Sequence, residues 1–202
     1  MAREVASRLG LPFLDTGAIY RAITLMLLRK GIPPVDSAEL REVLGAFSIS
    51  FSDRRVFVRD EDVTDAIRTP EIDSEVSPYS ALPVVREALL GFQRDRREFG
   101  LVAEGRDMGT VVFPDADLKV FMTASPECRA RRRCAERAAK GEPSDYEETL
   151  KKVIARDRID STRDIAPLKP ADDAIHLDTT EMSFEEVVGT VMRYSEKIKA
   201  NE

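Results

Sequence analysis

Residue types that bind phosphate recur in two short segments of the chain, and each segment directly follows an apolar run. One runs from Asp15 to Arg21 (DTGAIYR) and the other from Glu104 to Thr110 (EGRDMGT). Ligands of parallel sheets gather where strands end, so a hydroxyl, an arginine and closely spaced glycines are well placed there. Either segment alone also fits a helix cap or a surface turn with an ion pair.

A third segment is rich in arginine and positively charged, although the whole chain is acidic. Of the 31 basic residues, 23 are arginine. Residues 129–163 hold 11 basic and 7 acidic residues, a net charge of +4, whereas the rest of the chain carries −10. Within this segment Arg156, Asp160 and Arg163 follow the i, i+4, i+7 spacing of one helix face. Because arginine binds phosphate through a planar fork, the segment indicates a local anion site.

A structural alternative for these arginines stays open at this point. A run such as Arg131 to Arg133 is often no more than a solvated helix face. Asp145, Glu147 and Glu148 could also pair with the arginines across a helical hairpin. The functional interpretation therefore depends on all three segments occurring in one chain.

The composition of the chain argues against several classes of function. The chain has 202 residues, of which 43% are hydrophobic and 34% charged, enough for one α/β domain with a buried core. Its net charge of −6 argues against a protein that coats nucleic acid or an anionic membrane. One histidine and two cysteines argue against a histidine-rich metal site, a Ser-His triad or a disulfide framework. No apolar run approaches the roughly 20 residues that span a bilayer, so we expect a cytoplasmic protein.

Alternating strands and helices must position these segments. Apolar runs predict buried strands at residues 12–14, 101–103, 118–122 and 174–177. Helical periodicity predicts helices at residues 2–9, ended by Gly10, at 18–29 and at about 83–99. Four further helices are predicted to begin at the N-caps Ser37, Ser125, Ser144 and Ser183, the last two in capping boxes. A hairpin is predicted at residues 47–58, with its turn at 52–54. This order predicts a doubly wound α/β fold.

Five stretches, taken together, resemble the bacterial cytidylate kinases of the nucleoside monophosphate kinase group. They are residues 14–21, 67–69, 85–90, 104–116 and 166–168. They occur in the family's order across essentially the whole chain, and the run 104–116 is highly specific. The resemblance implies one kinase domain over residues 1–202, with a P-loop NTPase-like parallel sheet and flanking helices. It also implies a CMP-binding insertion with a β-hairpin at residues 33–83 and an arginine-rich lid region at residues 129–163.

The same resemblance implies a reaction and a set of site residues. The reaction is transfer of the γ-phosphoryl group of ATP to CMP or dCMP, with Mg²⁺, by a monomer. The implied CMP-binding residues are Thr16, Arg21, Ser77, Arg86, Arg106, Asp107 and Asp160. The implied catalytic residues are Arg106, Arg132, Arg156 and Arg163, and the residues of the ATP site and lid are Arg129 and Arg132. No protein ligand to a metal is implied. Such chemistry needs positioning and charge neutralisation more than acid–base groups.

One motif of the family does not occur in this sequence. The family begins with a buried strand and a phosphate-binding loop of the form G-x-x-x-x-G-K-[ST], and no such pattern is present. We therefore expect a chain truncated ahead of Met1 by a misplaced start codon. A lost central strand would cost about 6–15 kcal/mol, which predicts an unstable or rearranged protein. The alternatives are a CMP-binding chain without kinase activity, a different P-loop kinase and, last, a structural protein.

Overall fold

The computed structural model describes residues 1–52, 55–95 and 100–199. The helices are α1 (Ala2–Leu9), α2 (Thr16–Arg29), α3 (Ala38–Gly45), α4 (Pro70–Ala81), α5 (Pro83–Arg94), α6 (Pro126–Ala139), α7 (Tyr146–Thr162) and α8 (Phe184–Lys199). The strands are β1 (Phe13–Asp15), β2 (Ile49–Ser52), β3 (Arg55–Val58), β4 (Glu61–Asp62), β5 (Val102–Glu104), β6 (Val120–Thr123) and β7 (Ile175–Asp178). They form two compact units: a central unit of residues 14–105 and a terminal unit of residues 1–13 and 106–202.

Helix α2 is the core of the central unit. Ile19, Ile23 and Leu27 recur at helical spacing and are completely buried, and α4 packs against this helix. The helix begins two residues earlier than the sequence predicts, because the Asp15 carboxylate accepts a hydrogen bond from the Ala18 N–H at 2.9 Å. This capping bond replaces one of the backbone bonds that a helix N-terminus lacks.

The predicted hairpin is present as part of a three-stranded antiparallel sheet. Strand β2 pairs with β3, with Ile49 opposite Val58, and β3 pairs with the short β4. Ile49, Val56 and Val58 are buried, as the alternation of apolar and polar residues predicts. Residues 53 and 54 of the predicted turn lie outside the described residues.

The segment after the hairpin differs from the prediction. Helix α4 was not predicted, although Thr69 caps it by accepting from the Ile72 N–H at 3.4 Å and Pro70 occupies its first turn. Pro78 lies inside this helix, and an internal proline usually indicates a helix end. The helix predicted at residues 83–99 is confirmed as α5, and residues 96–99 lie outside the described residues.

The terminal unit contains a parallel strand pair and a helical hairpin. Strands β6 and β7 are parallel, with Val120 opposite Ile175, and α6 packs against α7. The predicted capping box of α8 is confirmed: the Ser183 N–H donates to Glu186 at 2.8 Å and the Glu186 N–H donates to Ser183 Oγ at 3.3 Å. The prediction that Ser144 opens α7 is wrong, because the capping oxygen belongs to Asp145 and accepts from the Glu148 N–H at 2.7 Å.

The α/β class, with parallel strands and a small antiparallel sheet, is confirmed, but one continuous doubly wound sheet is not observed. Within the described residues β1 pairs with β5 and β6 pairs with β7, as two separate two-stranded sheets. Each strand has three or four residues, so each pair makes few inter-strand hydrogen bonds and depends on the helices packed against it. Across the described ranges, no helix combines the length and apolar character needed to cross a membrane.

The start of α7 provides a test of this capping assignment. Asp145→Ala is expected to lower the free energy of unfolding by about 1 kcal/mol, because the Glu148 N–H loses its acceptor. The matched control Ser144→Ala should change it by less than about 0.5 kcal/mol. Urea denaturation followed by circular dichroism measures both values. A larger loss for Ser144→Ala would contradict the assignment.

Candidate functional site

The N-terminus of α2 is tied to the end of strand β5 within the central unit. The Thr16 hydroxyl donates to the Glu104 backbone carbonyl at 2.7 Å, and Thr16 is only 2% exposed. The sequence-predicted binding residue Thr16 therefore joins the two segments that carry DTGAIYR and the start of EGRDMGT. Its role in this structure is to hold the helix start in place, and its hydroxyl oxygen retains acceptor capacity.

Two ion pairs lie around the first turn of α2. Nε and Nη2 of Arg21 donate to Oδ1 of Asp73 at 3.2 and 2.8 Å. Nη2 of Arg68 lies 3.3 Å from Oδ2 of Asp15. A Cβ atom on Gly17 would lie 3.0 Å from Nη1 of Arg21 and 3.2 Å from Oδ1 of Asp15. The absence of a side chain at Gly17 thus lets the Arg21 guanidinium lie close to the helix N-terminus, where anions are favoured.

Arg86 and Ser77 are both buried and are connected through the C-terminal part of α4. Nη1 of Arg86 donates to the Ser80 carbonyl at 2.9 Å, and the Arg86 guanidinium lies 5.2 Å from the centre of the Tyr20 ring. The Ser80 hydroxyl donates to the Ser77 carbonyl at 3.1 Å. These contacts fix a buried guanidinium on a carbonyl and an aromatic face, both of which stabilise a cation.

A buried carboxylate collects three arginines in the terminal unit. Asp160 is 2% exposed. Its Oδ2 accepts a hydrogen bond from Nε of Arg106 at 2.8 Å. The same oxygen lies 3.7 Å from Nε of Arg156, and its Oδ1 lies 3.8 Å from Nη1 of Arg163. Three guanidinium groups thus surround one carboxylate, and guanidinium groups are side chains well suited to binding phosphate oxygens.

The loop after α7 holds Arg163 in place. Nε of Arg163 donates to the Ala166 carbonyl at 2.7 Å, and the Leu168 N–H donates to the Asp160 carbonyl at 2.7 Å. Ala166 has a φ of 49°, a left-handed conformation that is uncommon for residues other than glycine. The stretch 166–168 therefore has a local role, which is to position the arginine that faces Asp160.

Asp107 begins an unusual turn immediately after Arg106. Its backbone carbonyl accepts from the Val111 and Val112 N–H groups at 2.9 and 3.2 Å, and residues Met108–Val112 form one turn of π-helix. Turns of this kind occur often at functional sites. Asp107 itself is buried, and its role in binding stays a prediction.

The two arginines predicted for the lid are held by partners other than Asp160. Arg129 forms an ion pair with Asp157 through both terminal nitrogens, and its Nε donates to the Ala124 carbonyl at 3.1 Å. Hydrogen bonding to Asp157 raises the pKa of Arg129 above its ordinary value. Arg132 donates from Nη2 to the carbonyls of Thr179 and Met182 at 2.5 and 3.2 Å. The carboxylate on Arg129 is thus Asp157 rather than one of the acidic residues at the start of α7.

Several residues of these clusters were not among the predicted site residues. Asp73 and Asp157 have no local sequence signal, because their partners Arg21 and Arg129 are 52 and 28 residues away. Arg68 lies in a stretch that carries the resemblance, but nothing in its spacing predicts the contact with Asp15. A search of the sequence for acidic residues that could neutralise each clustered arginine would have shortened the list of possible partners, but it would not have identified the actual partner.

These features define a class of protein. In the described residues, arginines are held by the buried carboxylate of Asp160, by more exposed carboxylates, by backbone carbonyls and by an aromatic ring. Clustered arginines suit an enzyme that positions and neutralises phosphoryl groups. The family model described as cytidylate kinase matches residues 1–197. The chain therefore belongs to the cytidylate kinase family, whose members are nucleoside monophosphate kinases.

Individual relatives agree with this assignment. The chain is 46% identical over 205 residues to a cytidylate kinase of Exiguobacterium, covering 99% of this chain and 92% of the relative. It is 47% identical over 204 residues to that of Pseudomonas aeruginosa, covering 98% and 89%. It is 45% identical over 194 residues to that of Mycobacterium leprae, covering 95% and 87%. These comparisons do not support the expected truncation, and the roles proposed for individual residues do not depend on it.

Removing the negative charge of Asp160 is expected to have a large effect on stability, because three arginines surround this carboxylate. Asp160→Asn is expected to lower the free energy of unfolding by about 2 kcal/mol, because buried guanidinium groups lose their carboxylate while Asn keeps one acceptor. Denaturant unfolding measures this value.

The matched control is Asp157→Asn, which removes a carboxylate from the more exposed pair with Arg129. Its expected effect is below about 1 kcal/mol. Equal losses for the two variants would show that Asp160 has no special place in the terminal unit.

Proposed function

We propose that this chain transfers the γ-phosphoryl group of ATP to CMP or dCMP and releases CDP or dCDP with ADP. A phosphate oxygen of the acceptor forms a bond to the γ-phosphorus, and the bond from that phosphorus to the β–γ bridging oxygen breaks. The observation that carries the proposal is the buried Asp160 with Arg106, Arg156 and Arg163 around it. This group presents positive charge in a fixed geometry, which is what phosphoryl transfer requires.

The central unit contributes groups suited to a nucleoside monophosphate. In the proposal, Arg21 binds the phosphate beside the N-terminus of α2, where Thr16 holds the backbone in position. Asp73, which is 41% exposed as a side chain, accepts the Arg21 bonds in this structure, and a phosphate could replace it. Arg86, which is buried, also binds the monophosphate, and Ser77 contacts the nucleotide. Residues 33–83, with the hairpin and α4, form the proposed CMP-binding insertion, which contains Asp73 and Ser77.

The terminal unit contributes the groups that act on the transferred phosphoryl. Arg106 binds the acceptor phosphate, and Asp107 contacts the base and the phosphate. Asp160 accepts from the ribose while it keeps the arginines in register. Arg132, Arg156 and Arg163 neutralise the charge that develops during transfer.

Residues 129–163 form the proposed lid over ATP. They hold the hairpin of α6 and α7, and Arg129 connects these helices through Asp157. In the proposal, Arg129 and Arg132 contact the ATP phosphates. Exclusion of water by a lid prevents ATP hydrolysis in place of transfer.

Mg²⁺ is proposed to enter as part of the ATP substrate. Among the described residues, no group of three or more His, Cys, Asp or Glu could hold a metal ion. Mg²⁺ often binds through substrate phosphates and water with few protein ligands. The roles assigned above concern the contacts of this chain with its substrates, and binding of the ion without a protein ligand stays a prediction. A monomeric state and a cytoplasmic location remain predictions.

A second candidate is a chain that binds CMP without transferring phosphate. The observation in its favour is that the sequence contains no G-x-x-x-x-G-K-[ST] pattern, whose backbone N–H groups and lysine hold the phosphates of ATP in P-loop kinases.

A substrate panel with separate binding measurements distinguishes the candidates. ADP formation is followed with ATP, Mg²⁺ and each of CMP, dCMP, UMP and AMP, and calorimetry measures CMP and ATP binding. Turnover of CMP and dCMP supports the proposal. CMP binding without ATP binding or turnover supports the second candidate, and turnover of AMP instead of CMP contradicts both.

Gly17 provides a sharper test of the Arg21 assignment. Gly17→Ala is expected to raise KM for CMP severalfold, because the new methyl group shifts the Arg21 guanidinium by a few tenths of an ångström. Steady-state kinetics at saturating ATP measures this change.

The control is Gly189→Ala in α8, where an added Cβ meets nothing within 4 Å among the described residues. It should leave KM for CMP at the parent value. An unchanged KM in Gly17→Ala would remove Arg21 from the proposed phosphate site.

A further inference from the structure

We propose that Lys119 is a positioning residue for monophosphate binding, because it holds the segment that carries Arg106 and Asp107 in its working conformation. The inference rests on the proposed function, in which those two residues contact the acceptor nucleotide. Lys119 acts on them through Gly109 and Pro114, which lie in the same segment.

The Lys119 side chain is buried, and its ammonium group makes three hydrogen bonds. The side chain is 9% exposed. Its Nζ donates to the Pro114 carbonyl at 2.5 Å and to both carboxylate oxygens of Asp173 at 2.9 and 2.7 Å. An ammonium has three donors, and these three contacts satisfy them. Burial of a lysine is costly unless the charge is paired and hydrogen-bonded. The pairing observed here therefore indicates a structural role for Lys119.

Lys119 lies at the start of the parallel strand pair β6 and β7. It directly precedes β6, and its backbone carbonyl accepts from the Ile175 N–H at 2.8 Å. Asp173 lies two residues before β7, and hydrogen bonding from Lys119 lowers the pKa of its carboxyl. The ammonium therefore connects the start of both strands to the carbonyl of Pro114, which ends the segment that begins at Arg106.

The stem of the same side chain lies against Gly109. A Cβ atom on Gly109 would lie 3.1 Å from Cδ and 3.3 Å from Cγ of Lys119. Such distances are shorter than ordinary carbon contacts, so the segment can lie this close to Lys119 because residue 109 has no side chain. Gly109 belongs to the π-helical turn whose hydrogen bonds start at the Asp107 carbonyl.

The segment from Arg106 to Pro114 is thus held at three places. The Arg106 side chain is bound to Asp160 at one end, Pro114 is bound to Nζ of Lys119 at the other, and the middle rests on the lysine stem. Removing the ammonium frees one end, and adding a methyl group at Gly109 pushes the middle away from its support. Both changes should move Arg106 and Asp107 without altering either residue.

The test combines two single variants, their double variant and a control. Lys119→Met keeps an unbranched stem and removes the ammonium, and Gly109→Ala keeps the ammonium and crowds the stem. The control Arg8→Met removes a cation that binds Glu4 and Glu185 on α1 and α8 of the same unit. For each protein, calorimetry measures the Kd for CMP, kinetics separates KM from kcat, and thermal unfolding measures stability.

The proposal predicts a binding effect that stability loss alone does not produce. Each single variant should raise Kd and KM for CMP about tenfold, as expected when a charge-assisted contact is lost, with a change in kcat of less than about threefold. The double variant should be no worse than about tenfold, because both changes disturb the same support and are not additive. Arg8→Met should keep the parent values of Kd and KM.

The proposal is overturned if Lys119→Met and Gly109→Ala keep the parent Kd for CMP, whatever their thermal stability. Independent, additive effects of the two single variants would also overturn it. If Lys119→Met does not fold, Asp173→Asn removes one partner of the ammonium, and a parent Kd in both that variant and Gly109→Ala overturns the proposal in the same way. A parent protein that does not bind CMP would instead refute the proposed function, on which this inference depends.

Discussion

The cost of burying a charged carboxylate determines much of the terminal unit. Asp160 lies in the interior at 2% exposure, and a carboxylate there is stable only when cations and hydrogen bonds compensate for lost water. Arg156 and Arg163 supply that compensation from within four residues of Asp160, and Arg106 supplies it from 54 residues away. The requirement fixes which face of α7 points inward and where the chain after α7 must turn. It also gathers three guanidinium groups in one place, and in the proposed function the same group binds phosphate.

The central unit contains two arginines whose partners differ in exposure. Arg21 is bound to Asp73, whose side chain is partly exposed, whereas Arg86 is bound to a carbonyl and an aromatic ring that remain in place. An exposed carboxylate can give up its arginine to a phosphate at low cost, because water solvates it afterwards. The two arginines thus differ in kind: Arg21 is suited to exchange partners, and Arg86 is suited to stay fixed. Gly17 and Gly109 have no side chains. For this reason Arg21 can lie close to Gly17 in the central unit, and Lys119 can lie close to Gly109 in the terminal unit.

Local signals predicted most element boundaries, because they depend on a few adjacent residues. Gly10 ends α1 in the left-handed conformation, and Ser37, Ser125 and Ser183 cap their helices as predicted. The failures also have local causes. Helix α4 was missed because Pro78 interrupts its pattern, and Asp145 competes with Ser144 as a cap one residue away. The doubly wound sheet was predicted from the order of strands and helices, but strand pairing is a long-range property that single-strand patterns do not determine.

The sequence by itself determined the α/β class, the family and the segments that hold the clustered arginines, because composition, periodicity and ordered motifs are local or linear properties. The tertiary structure alone decided which acidic group each arginine meets. Arg129 pairs with Asp157 rather than with Asp145, and Arg106 reaches Asp160 across 54 residues of chain. It also decided that Lys119 lies beneath Gly109. Charge attraction is not specific to one partner, so in a chain with 37 acidic residues the pairing follows from the packing that brings particular groups within hydrogen-bond distance.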